Sequence, residues 1–131
     1  MHASLQIAVA AFLLLVSVAT GAFGSHALAG RVDLNMLAVW QTAVQYLSLH
    51  AVALLALASA HAYLQARLQH LAFSLLLVGT LLFSGSLLLL VLSEQRWLGM
   101  ITPIGGVLML GGWGLVLLAA LANYHQQNKK R

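Results

Sequence analysis

Gln41, Thr42, Gln45, Tyr46 and His50 fall three and four residues apart inside an otherwise apolar stretch. Projected as a helix at about 100° per residue, they occupy one half of the circumference. Leu49, Ala53, Ala56 and Ala60 share that arc, while Trp40, Val44, Leu47, Ala51, Leu54 and Leu55 fill the other. An unpaired amide or imidazole is costly in hydrocarbon. The projection therefore predicts that the polar arc faces other helices and that Trp40, Leu47 and Leu54 face lipid. Two kinds of chemistry suit such an arc. One is interhelical hydrogen bonding, worth about 0.6 kcal/mol per contact in membranes. The other is a pocket wall, with Tyr46 and His50 one turn apart reaching a head group, a quinone or a metal.

The six histidines, at positions 2, 26, 50, 61, 70 and 125, are a second set whose chemistry could matter. Axial ligation of an intramembrane haem needs two histidines at matching depth on facing helices, and none matches His50. No HExxH pattern or carboxylate–histidine cluster occurs, and the chain has no cysteine. No metal and no cofactor are expected. The only carboxylates, Asp33 and Glu94, stand in different connections, and no nucleophile lies beside a recognisable base. An enzyme is not expected.

Two further segments stand out. Thr20-Gly21-Ala22-Phe23-Gly24-Ser25-His26 and Gly99-Met100-Ile101-Thr102-Pro103-Ile104-Gly105-Gly106 are expected where a span meets the same, non-cytoplasmic, side of the membrane. Packing of small residues explains both, and a small polar cavity near His26 and Thr102 is the sharper alternative. Gly105 and Gly112 are seven apart on one side of a helix, where they permit close backbone approach. They are expected at a helix contact.

The elements that must position these residues follow from the charges. Residues 1–30, 34–66, 68–93 and 97–128 contain no Asp, Glu, Lys or Arg. A spanning helix needs about 20 mostly apolar residues, and each gap supplies them. The expected fold is an all-α integral membrane protein, one four-helix transmembrane domain over 1–131. Its spans are placed at about 5–24, 37–62, 70–92 and 99–122, and the short links imply an up-down-up-down bundle. The first span is expected to be retained rather than cleaved, because no Lys or Arg precedes its long apolar run.

Four spans bring both termini and the middle connection to one side. That side carries Arg67, Lys129, Lys130 and Arg131, against Arg31 and Arg96 with Asp33 and Glu94 opposite. Positive-inside reasoning puts the termini in the cytoplasm. The cations are too scattered to follow a phosphate backbone, so nucleic acid is not an expected partner. Membrane lipids are, together with self-association or another membrane protein.

Four strings carry a family likeness: Gly21-Ala22-Phe23-Gly24-Ser25-His26-Ala27-Leu28; Trp40-Gln41-Thr42-Ala43-Val44-Gln45-Tyr46 running on to His50–Leu55; Phe83-Ser84-Gly85-Ser86-Leu87; and Gly99–Gly106 with Gly112-Trp113. In this order they resemble the YgdD-like family of small four-span membrane proteins of unknown function. The resemblance implies the four-helix fold and a bacterial inner-membrane location. It supplies no activity, substrate or catalytic residue. A structural, accessory or assembly role ranks first among functions. Binding of a lipid-like or quinone-like molecule at the polar face of the second span ranks second, and passive transport of a small solute or lipid third.

Overall fold

A computed structural model describes residues 1–129; Lys130 and Arg131, two of the cations in the orientation argument, lie outside the described residues. Four helices account for most of the chain: α1 (Ala3–Phe23), α2 (Leu34–Ser59), α3 (Ala66–Ser93) and α4 (Thr102–Lys129). Each is long and apolar enough to cross a membrane. The segments between them are too short to reach anything but a neighbour, so consecutive helices run antiparallel. α1 packs on α2, α2 on α3 and α3 on α4. α2 and α3 bury the larger share of their length and form the centre, with α1 and α4 outside them.

Local chemistry sets the helix ends. The Asp33 carboxylate accepts from the Met36 N–H at 2.8 Å and starts α2 three residues before the expected span. The Gln65 side chain caps α3 in the same way through Leu68, at 2.8 Å. α3 ends at Glu94, which adopts the left-handed conformation with φ 57°. The fourth helix starts at Thr102 rather than Gly99, because Arg96–Met100 form a 3₁₀ turn. Pro103 then sits in the first turn, where no N–H is needed.

α1 does not stop at Phe23 but widens into a π-helical turn, Gly24–Leu28, closed by the Ala29 N–H on the Gly24 carbonyl at 3.2 Å. The turn is fitted to Trp40. A Cβ on Gly24 would lie 2.5 Å from the indole Cδ1 and Nε1, so only glycine admits the ring. The indole N–H donates to the Thr20 carbonyl at 2.9 Å.

The interior is two apolar clusters with polar contacts between and below them. Leu13, Leu47, Leu54, Phe73, Leu76 and Met109 anchor one; Leu28, Trp40, Leu90, Val91 and Leu98 form the other. Ser17 bonds Ser48 across α1 and α2. Ser86 bonds Thr102 at 2.7 Å across α3 and α4. Thr80 returns its hydroxyl to the Leu76 carbonyl at 2.7 Å. Among the described residues Ser84 is the exception, a buried hydroxyl without a hydrogen-bond partner.

The α3–α4 contact is made backbone to backbone. Cβ atoms placed on Gly79 and Gly105 would lie 2.9 and 2.7 Å from each other's carbonyl oxygen, and one on Gly105 only 2.5 Å from the Phe83 nitrogen. Gly112 presses on the Leu76 side chain, with a Cβ meeting Cγ at 2.7 Å. Both glycines singled out in the sequence thus lie on the face of α4 that meets α3.

Candidate functional site

The face of α2 that turns inward is not the one its polarity suggested. Trp40, Ala43, Leu47, His50, Ala51, Leu54, Leu57 and Ala58 are buried. Their three- and four-residue steps are the seam of a left-handed helix pair. Gln41, Thr42, Gln45 and Tyr46 are exposed, and of the predicted polar arc only His50 enters the bundle. The expectation that Trp40, Leu47 and Leu54 face lipid is therefore corrected. The reason is packing: small Ala43, Ala51 and Ala58 let neighbours close in, and Trp40 fills the slot over Gly24 while its N–H finds a carbonyl. Polarity alone ignored both.

His50 is locked in place. One ring nitrogen, Nδ1, lies 2.9 Å from the Tyr46 carbonyl, and the other, Nε2, lies 3.2 Å from the Trp113 indole nitrogen. A carbonyl only accepts and an indole N–H only donates. The proton therefore sits on Nδ1, Nε2 accepts, and both nitrogens are committed. Tyr46 stacks on the imidazole, with centroids 6.0 Å apart, and meets Phe83 at 4.5 Å. These rings, with Met109, Leu110 and Trp113, border a crevice of about 350 Å³ between α2 and α4. A molecule there would meet aromatic walls and the Tyr46 residue, but no vacant imidazole nitrogen.

On the outer side of α2, Gln41 and Gln45 line a groove of about 270 Å³ against Gly21, Gly24 and Ser25 of the π turn. Thr42 satisfies its hydroxyl on the Ala38 carbonyl at 3.0 Å. No such bond is made by either glutamine amide among the described residues. The postulated cavity joining His26 and Thr102 is not formed by the crevices around this site. His26 is exposed on the π turn, and Thr102 is turned into α3 by its bond to Ser86.

Two convergences are closer than the shared membrane side that the sequence assigned. Arg31, Asp33, Glu94 and Arg96, from two separate connections, border one cleft of about 420 Å³. At the opposite end His2, His61 and His70 meet around the buried amides of Gln6 and Gln69. Residues 60 apart in the chain give no local pattern. Only the return of the chain through α2, which sets α3 parallel to α1, brings them together.

Four apolar helices joined by short turns, with an interior tied by side-chain hydrogen bonds, define a small multi-pass membrane protein. Residues 20–106 match the family model described as Protein of unknown function (DUF423). The chain is 40% identical over 112 residues to the UPF0382 inner membrane protein YgdD of Escherichia coli, covering 81% of each. It is 38% identical to the UPF0382 membrane protein YwdK of Bacillus subtilis, covering 82% of this chain and 88% of that one. A UPF0382 membrane protein of Staphylococcus epidermidis is 36% identical over 82% of this chain and 87% of its own. The chain belongs to this DUF423/UPF0382 family, whose function is unknown. No solved structure matches it.

Proposed function

We propose that this membrane protein has an accessory or assembly role, acting through lateral association with other membrane-spanning helices rather than through catalysis. The observation that carries this reading is the exposed amide of Gln45. Gln45 lies about 16 Å along a helix about 39 Å long, at about 1.5 Å per residue over 26 residues. That depth is inside a hydrocarbon layer about 30 Å thick. An amide left unpaired there costs about 4–8 kcal/mol relative to water. Gln41 lies one turn away on the same groove, whose other wall is the π turn with exposed Ser25. A neighbouring helix that presents an amide, hydroxyl or carbonyl satisfies both side chains. The commitment of both His50 nitrogens supports a non-catalytic role for the bundle interior.

The test is native mass spectrometry in mild detergent, together with photo-crosslinking residues at exposed Leu49, one turn from Gln45, and at exposed Leu110 on α4. Crosslinks to protein from position 49 and not from 110, and a complex in the native mass spectrum that is lost on Gln45→Leu, are expected. Monomer alone, with position 49 labelling only lipid, would sink the proposal.

We further infer that both termini lie in the cytoplasm of a bacterial inner membrane. Arg67 and the residues from Lys129 onward supply the excess of positive charge that favours this. Alkaline phosphatase fused after Arg131 should be inactive and fused near Asp33 active; the reverse pattern would defeat the assignment. Changing Lys129, Lys130 and Arg131 to Gln should give mixed orientation.

A further inference from the structure

α2 carries a second seam on the side away from the bundle. Ala38, Thr42, Gln45, Leu49, Val52, Ala56 and Ser59 are all exposed, and they follow one another in steps of four and three residues without a break. That is the heptad spacing by which two helices pack as a left-handed pair. The run covers about 32 Å at about 1.5 Å per residue, the full depth of a hydrocarbon layer about 30 Å thick. Its composition sets it apart from the other outer faces. α1 and α4 expose Phe12, Leu15, Val18, Ile104 and Leu110, bulky apolar side chains that suit acyl chains. On the outer seam of α2 only Leu49 and Val52 are of that kind.

Among the described residues one group on this seam lacks a partner. Thr42 and Ser59 return their hydroxyls to the Ala38 and Leu55 carbonyls of their own helix, at 3.0 and 2.9 Å. The Gln45 amide, at the edge of the groove against the π turn, makes no such bond. Acyl chains offer neither donor nor acceptor at its depth, so its partner is protein. An amide has an NH₂ that donates and an oxygen that accepts, and a second amide set opposite satisfies both. Two copies inserted alike in the membrane run their α2 helices parallel and hold equivalent residues at equal depth. A twofold axis along the membrane normal then sets Gln45 against Gln45, each donating to and accepting from the other. The same axis sets Ala38, Ala56 and Ser59 on their equivalents, where small side chains let the backbones approach. A single polar layer in such a seam fixes its register. A helix from another protein would need both a matching heptad seam and a donor and acceptor at this one depth.

We propose that the chain forms a parallel homodimer through the outer face of α2, with the paired Gln45 amides at its centre. This rests on the lateral association proposed above and names the partner, a second copy of the chain.

The chain has no cysteine, so single cysteines report contacts between copies directly. Thr42→Cys and Ala56→Cys, both on the exposed seam, should oxidise to covalent dimers in native membranes. Val18→Cys on α1 and Leu110→Cys on α4, also exposed, should stay monomeric. Native mass spectrometry of the full chain in mild detergent should give twice the chain mass. Gln45→Leu should weaken the dimer about tenfold, the effect of one interhelical amide bond in model membrane peptides, and Ala56→Trp should abolish it. Both residues are exposed, so either variant should keep the parent's helical content. The proposal is overturned if positions 42 and 56 crosslink no more than 18 and 110, or if Gln45→Leu dimerises as the parent does. A complex with a different protein in place of the dimer would overturn it and leave lateral association standing; monomer alone would overturn both.

Discussion

Gly105→Leu will destabilise the bundle by about 3 kcal/mol, the upper end of the usual 1–3 kcal/mol for overpacking. The reason is the nature of the obstacle. A Cβ at Gly105 meets the Phe83 nitrogen at 2.5 Å and the Gly79 carbonyl at 2.7 Å, both main chain. Neither can rotate away, so the two helices must separate. At Gly112 the nearest atoms belong to the Leu76 side chain, at 2.7 and 2.8 Å, which has other rotamers available. Gly112→Leu should therefore cost less. Nothing lies within 4 Å of a Cβ at Gly114, and glycine inside a helix is worse than alanine by roughly 0.5–1 kcal/mol. Gly114→Ala should stabilise by about that amount. Leu117→Ile, on an exposed face, should be nearly silent. Thermal unfolding in detergent should rank the variants in this order. Equal midpoints would mean that Gly105 and Gly112 face lipid.

Gln69→Leu should be the next most damaging change, by about 1–3 kcal/mol, the penalty for leaving buried polar atoms without partners. It removes the donor that serves both the Leu57 carbonyl and Gln6 Oε1. Gln6 is itself buried and has no solvent to turn to. Adding Gln6→Leu should then recover part of the loss, because the stranded amide disappears with it. A double-mutant cycle on the pair should give a coupling of about 1 kcal/mol or more. Strict additivity would show that the two amides act independently.

What was legible in the sequence follows from which forces act locally. The four spans could be read because charge is excluded from hydrocarbon one residue at a time, and eight charged side chains in 131 residues mark the boundaries. The close approach at Gly105 and Gly112 was legible for a similar reason, since a missing side chain has the same meaning wherever the partner lies. The inward face of α2 was misread. Gln41 and Gln45 declare that they need a partner, but not whether that partner belongs to the same chain. Trp40 looks lipid-facing until the Gly24 slot and the Thr20 carbonyl are known. The histidine cleft was invisible for another reason: His2, His61 and His70 become neighbours only through the return of α3 beside α1.

The contact between Gly79 and Gly105 is reciprocal, each position limited by the other's carbonyl oxygen. A first step away from glycine at either site meets backbone, and no change of side chain at the other can relieve it. The pair is therefore closed to compensatory exchange, unlike a large and a small residue that trade places across an interface. Across related sequences such a contact should leave no correlated variation, only two fixed columns. So close an approach would then be hard to detect by methods that infer proximity from coupled change.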